Sequence, residues 1–107
     1  MRPPVKARLG FDWATVHEIN PLLVMGSISG FGQEGPYADR GGVDQIAQGL
    51  GGMMSVTGIP GQVPVRAGVA ISDITAGLQL AVGILVALHE RKRTGRGRSF
   101  PYHHLTL

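Results

Sequence analysis

The sequence predicts an α/β fold, an incomplete sheet with flanking helices, and three observations predict it. An apolar run at 22–28 (LLVMGSI) bounded by turn residues reads as a buried strand. A long apolar helix opens at Ser72 or Asp73 and runs to about Arg93. The order is helix, strand, helix, extended segment, helix, and one or two strands cannot satisfy a sheet.

Along the chain, Asp12 is placed to cap a short helix with Trp13, Val16 and Ile19 on one side, stopped by Asn20-Pro21. The strand at 22–28 empties into SGFGQEGPYADRGG, a long loop rich in glycine. Asp44 can cap a second helix with Ile46, Ala47, Leu50, Met53 and Met54 at helical spacing, weakened by Gly49, Gly51 and Gly52. Residues 57–62 (TGIPGQ) are turn material and 63–71 are extended. In the last helix Ile74, Leu78, Leu80, Val82, Ile84, Leu85, Val86 and Leu88 cover much of the surface, so most of it is expected to be buried. Its basic last turn, Arg91-Lys92-Arg93, suits the negative end of the helix dipole, and Gly95 suits the cap beyond it.

Composition narrows the function. A chain of 107 residues holds one small domain, and its 17 glycines suit tight turns and close backbone approach to a ligand. With no cysteine there is neither a disulfide framework nor a thiolate metal site, which is compatible with a reducing cytoplasm. The net charge of +3 comes largely from RKRTGRGR at 91–98. No aromatic residues interleave it, so it reads as a solvated helix end rather than a nucleic-acid surface. Met1 is followed by Arg-Pro-Pro, which is no signal peptide, and the chain opens as if in mid-domain. The apolar stretch at 76–88 is interrupted by Gln79 and is shorter than the ~20 residues of a membrane span, so a soluble protein is expected. Adjacent His103 and His104 have no third ligand near them, and no metal site is expected.

Two places could bear chemistry. GFGQEG at 30–35 has the spacing of a dinucleotide fingerprint, but Pro-Tyr-Ala-Asp-Arg follows it instead of an apolar helix. What survives is a loop passing close to a ligand, or a plain surface loop. Asp73 stands where the extended VAIS gives way to the long helix. It could simply cap that helix. That is the commoner role for such a residue; the sharper reading is a carboxylate nucleophile, since helix-terminal N–H groups stabilise negative charge on it and on the oxyanion of an acyl group attached to it. Nothing local separates the two.

Two stretches, 19–58 (INPLLVMGSISGFGQEGPYADRGGVDQIAQGLGGMMSVTG) and 64–98 (PVRAGVAISDITAGLQLAVGILVALHERKRTGRGR), closely resemble the middle of the family III CoA-transferases. That group includes the formyl-CoA and carnitine CoA-transferases and the α-methylacyl-CoA racemases. The resemblance implies that residues 1–98 are part of a large Rossmann-like domain, an internal fragment lacking the N-terminal half of the sheet and the second domain. It implies that Asp73 is the nucleophile, and that Ser29, Gly30, Phe31 and Gly32 form a CoA-contacting loop. RPPVKARLGFDW at 2–13 fits the stretch upstream, which puts Arg8 on the CoA phosphates with Met1 and Arg2 beside it.

The implied reaction moves CoA from an acyl-CoA thioester to a carboxylic acid through aspartyl–acyl anhydride and aspartyl–CoA intermediates. Coenzyme A is a substrate there, not a permanently bound cofactor, and no metal takes part. The resemblance also implies an interlocked homodimer in the cytoplasm. Where racemases carry a proton-transferring histidine before an aspartate, this chain has Val43 before Asp44, which points to transfer. The alternatives are an acyl-CoA racemase or a catalytically dead remnant. RSFPYHHLTL at 98–107 departs from the family's valine-rich strand, so residues 99–107 are expected to be an atypical tail outside the fold. Alone, the chain is expected to be inactive and poorly folded.

Overall fold

The computed structural model describes residues 3–103, with side chains up to residue 101. Helix α1 (Pro3–Arg8) opens on two prolines, which suit a first helical turn whose N–H groups lack partners. Helix α2 (Trp13–Ile19) starts at Asp12 as its sequence predicts. The Asp12 carboxylate accepts from the Thr15 hydroxyl at 2.7 Å and from the Thr15 N–H at 3.1 Å. Those two bonds, the hydroxyl first, hold the Asp12 carboxyl below its ordinary pKa.

Strand β1 (Val24–Ser29) leads through a long loop to α3 (Asp44–Leu50) and a 3-10 turn (Met53–Val56). Helix α4 (Ile71–Thr94) follows, then β2 (Arg98–His103). The strands pair in parallel, from Val24 opposite Arg98 to Ser29 opposite His103. Parallel neighbours need a long crossover, and the 30–97 stretch with α4 supplies it.

Helix α4 sits close on this sheet because the contact is made with small residues. A Cβ at Gly26 of β1 would come within 2.9 Å of Ile84 Cδ1 and 3.1 Å of the Leu80 methyls. The far end of α4 is tied to the mouth of the sheet. Arg91 Nη1 donates to the Leu22 carbonyl at 2.9 Å, and the Gly97 N–H donates to the Pro21 carbonyl at 2.7 Å.

Several expectations need correction. Residues 99–103 are not outside the fold: with Arg98 they form β2. Pro101 lacks an N–H and disguised the segment, but a two-stranded sheet is all edge, where proline is tolerated. Residue 104 onward, including His104, lies outside the described residues. The helix opened by Asp44 stops at Leu50, because Gly51 and Gly52 turn the chain into the 3-10 segment. Residues 63–70 join no ladder and bend at 68–69, and Ile71, expected in the extended stretch, already belongs to α4.

The expectation of a buried α4 also changes. Among its residues only Ser72, Ala76 and Ala87 are buried, while Leu78 and Leu85 are about two-thirds exposed at 65% and 66%. At 24 residues α4 is long and apolar enough to cross a membrane, so the length of the 76–88 stretch excludes nothing. Length and composition do not distinguish a span from a helix whose apolar sides are covered by protein. The buried apolar residues among those described are three alanines, Ala47, Ala76 and Ala87. The radius of gyration is 16.5 Å, against about 13 Å for a compact domain of this length. The sheet and α4 form one layer on another, with their outer faces open.

A Cβ at Gly97 would run into the Leu23 carbonyl, so no other residue fits there without moving β1 from the turn. Gly97→Ala in the complete protein is expected to destabilise by about 1–3 kcal/mol. Urea denaturation checks this, and the midpoint should fall.

Candidate active site

Asp73 is the third residue of α4, with Ala70 at the N-cap. Alanine has no side-chain acceptor, and Ala70 makes no capping hydrogen bond. The acceptor comes instead from α3. Asp44 Oδ1 accepts from the Ser72 N–H at 2.8 Å and from the Asp73 N–H at 3.4 Å. Asp44 therefore does not cap its own helix, whose N-cap is Val43. It caps the helix bearing Asp73, 28 residues further along the chain from Asp44 to Ser72.

Only 8% of Asp44 is exposed, and a buried carboxylate requires donors. Its other oxygen accepts from Gln48 Nε2 at 2.6 Å, one turn along α3. Gln48, with 0% exposure, also donates to the Val69 carbonyl at 3.2 Å and accepts from the Ala67 N–H at 2.8 Å. Two polar side chains of α3 thus hold the segment that leads into α4. Asp73 itself is exposed. The neighbouring Ser72 hydroxyl is buried and has no hydrogen-bond partner among the described residues.

The residues expected in the CoA loop follow β1 directly. Ser29 is buried, its hydroxyl donates to the Gly32 carbonyl at 2.7 Å and it accepts from Gln33 Nε2 at 2.9 Å. That closes a tight turn in which Gly32 has φ 91°. Phe31 meets the Tyr37 ring edge to face at 5.6 Å, and Arg40 lies 4.3 Å over the other ring partner, Tyr37. The loop is folded back on itself, and no helix follows Gly35, so the dinucleotide spacing has no dinucleotide architecture behind it.

The loop and the α3–α4 junction meet through two glycines. A Cβ on Gly30 would collide with Gly42, and one on Gly42 would lie 2.6 Å from Gly30 Cα. Gly42 precedes Asp44 by two residues, so the end of β1, the start of α3 and the head of α4 are linked by direct contacts. An open depression of about 340 Å³ is lined by Phe31, Gly32, Gln33, Glu34 and Pro101. Asp73 does not line it.

Arg8 is exposed at the last position of α1. Lys6 of α1 reaches β1, its Nζ donating to Ser27 Oγ at 3.3 Å. Burial lowers the Lys6 pKa, opposed by the charge of Asp12. Met1 and Arg2 lie outside the described residues. Among the described residues no cluster of His, Asp and Glu is placed to hold a metal ion. Sequence reasoning missed Asp44 as a partner of α4 and missed Gln48 altogether. Their i, i+4 spacing on the same face of α3 as Ala47 was the available signal.

The sequence profile of CoA-transferase family III matches residues 1–102. The chain belongs to that family. Among curated relatives, the succinyl-CoA–D-citramalate CoA-transferase of Chloroflexus aurantiacus is 43% identical over 97 residues, 91% of this chain and 24% of the relative. The succinate–glutarate CoA-transferase of Agrobacterium fabrum is 46% identical over 92 residues, 86% of this chain and 23% of the relative. A crystal structure of a CAIB/BAIF family protein from Brucella suis superposes with a TM-score of 0.94 at 40% identity, covering 98% of this chain and 28% of that one. The chain thus spans about a quarter of the length of the family III relatives it matches. The α/β fold is the one found in a family III structure, and β2 lies almost wholly inside the matched region.

The glycine contact makes a sharp prediction. Gly42→Ala should separate the loop from α3 and destabilise the complete protein by about 1–3 kcal/mol. Gly41→Ala, with nothing within 4 Å of its Cβ, should be close to neutral. Thermal melts of the two variants check the contrast.

Proposed function

We propose that this segment supplies the nucleophile and part of the CoA surface of an enzyme that transfers CoA from an acyl-CoA thioester to a carboxylic acid. The observation that carries it is Asp73 in the first turn of α4, with Asp44 holding the backbone N–H groups beside it. Relatives named as CoA-transferases support the same reading. CoA enters and leaves as a substrate.

In this reading an Asp73 carboxylate oxygen attacks the thioester carbonyl, the C–S bond breaks, and CoA thiolate leaves an aspartyl–acyl anhydride. The thiolate then attacks the aspartyl carbonyl and expels the donor's carboxylate, leaving Asp73 as a CoA thioester. The acceptor carboxylate attacks that thioester, releasing thiolate and forming a second anhydride. Thiolate attack on the acceptor's acyl carbon yields the new acyl-CoA and regenerates Asp73. Every step passes through an oxyanion near the start of α4, where the helix dipole favours negative charge; the Ser72 and Asp73 N–H groups are already taken by Asp44. Anhydrides hydrolyse readily, so water has to be excluded. The remainder of a family III polypeptide is suited to provide that cover, in the cytoplasm and within a homodimer.

Transfer is favoured over racemisation by Val43. It occupies the N-cap of α3 beside Asp44, where an acyl-CoA racemase would need a group able to move a proton. The loop at Ser29, Gly30, Phe31 and Gly32, with Arg8 and the preceding Met1 and Arg2, is assigned to CoA. A guanidinium suits phosphate, and a glycine turn permits close backbone approach. The isolated 107-residue chain is assigned no activity, since its apolar helix is open on its outer sides.

In a full-length family III enzyme carrying this segment, Asp73→Ala should abolish transfer while CoA still binds. Mass spectrometry after donor treatment should find a hydroxylamine-sensitive adduct on Asp73. An active Ala variant would remove the assignment. Arg8→Ala should weaken CoA binding by about 1.5–3 kcal/mol if the guanidinium bonds a phosphate. Titration calorimetry checks it, and an unchanged affinity would count against Arg8.

A further inference from the structure

We infer that Gln48 is a positioning residue for Asp73, a buried amide that fixes the approach to α4 and orients the carboxylate of Asp44 that caps it. The inference rests on the reading of Asp73 as the nucleophile and goes beyond it, to what sets that nucleophile's geometry.

The approach to α4 has little else to hold it. Residues 63–70 pair with no strand, most of them are exposed, and Ala70 offers no capping side chain. A segment of this kind is ordinarily free to move, and the first turn of a helix moves with it. Gln48 meets it at two points, Ala67 N–H and Val69 carbonyl, on either side of Gly68. The amide's chemistry fits these partners in one orientation only. Nε2 has two hydrogens and faces two acceptors, Asp44 Oδ2 and the Val69 carbonyl. Oε1 faces the Ala67 N–H, a donor. Turned over, the amide would set an oxygen against two acceptors and a nitrogen against a donor.

The side chain is wholly buried, so water does not offer it alternative partners. A buried polar group whose capacity is filled this way is rigid, and breaking it leaves several groups unsatisfied at once. The bond to Asp44 extends the effect to α4. With Oδ2 held by Gln48, Oδ1 is aimed at the Ser72 and Asp73 N–H groups. Gln48 thus controls both the chain entering α4 and the cap at its head. A displacement of about 1 Å in a reacting group can cost roughly 100-fold in rate. Gln48 touches no reacting atom, so its contribution is to geometry.

The test uses a full-length family III enzyme carrying this segment, with Gln48→Met as the variant. Methionine keeps the length and the volume and removes every hydrogen bond. Single-turnover formation of the hydroxylamine-sensitive Asp73 adduct should slow by roughly 100-fold, with CoA affinity by calorimetry unchanged. A merely structural role would lower both together. A second measurement needs no variant: hydrogen exchange resolved to single amides in the unsubstituted enzyme. Ala67 and Ser72 should be protected well beyond Arg66 and Gly68. Adduct formation at the parent rate in Gln48→Met would overturn the inference. So would Ala67 and Ser72 exchanging as fast as their neighbours, and this result decides the matter if the variant does not fold. An adduct on Asp73 missing from the unsubstituted enzyme would instead overturn the nucleophile reading, and the positioning role with it.

Discussion

The hydrogen bond from the Ser72 N–H to Asp44 is the constraint on which the rest of this structure depends. A helix start presents N–H groups without partners, and a buried start needs an acceptor from somewhere. Here the residue at the cap is an alanine, so a carboxylate from another helix takes the role. The consequence is a fixed relation between α3 and α4. A local cap would satisfy α4 equally well and fix nothing else. The borrowed cap makes the position of Asp73 depend on where α3 begins, and α3 begins where Gly42 lets the loop after β1 come into contact. One chain of contacts therefore runs from the end of the strand to the proposed nucleophile.

The same economy of small residues appears on the sheet. Gly26 admits Leu80 and Ile84, while Gly97 passes the Leu23 carbonyl where any Cβ would not fit. These contacts bring α4 down onto β1 and β2 but bury little apolar surface, since the buried apolar residues among those described are alanines. Exposed Ile74, Leu78, Val82 and Leu85 on α4 remain at a cost that an independent domain would rarely bear. The segment's order rests on backbone fit and buried polar bonds more than on a core of its own.

What could be read in the sequence is what is decided locally. Asp12 caps the helix that follows it, and its partner is Thr15, three residues away. The strand after Pro21 and the long helix up to Gly95 carry their own boundary signals. Asp44 misled because an aspartate at a helix start ordinarily serves that helix, whereas its bonds reach residues 28 and 29 positions away. Gln48 was overlooked despite its spacing from Asp44 because a glutamine is ordinarily exposed, and its burial depends on residues 67–69 folding over it. Residues 98–103 were hidden by Pro101 and by pairing with a strand some seventy residues earlier. The assignment of Asp73 and of the loop from Ser29 comes from the resemblance of whole motifs alone, since neither position's own chemistry separates a site from a cap or a turn.

The most direct measurement of the central claim is a crystal structure of a full-length enzyme carrying this segment, frozen during turnover of an acyl-CoA donor. Continuous density is expected from the Asp73 carboxylate to an acyl carbon or to the CoA sulfur, with Asp44 still accepting from the Ser72 N–H and Gln48 still bridging Asp44 to residues 67 and 69. Covalent density on another residue would contradict the claim, as would a modified Asp73 on a helix whose first turn has left Asp44.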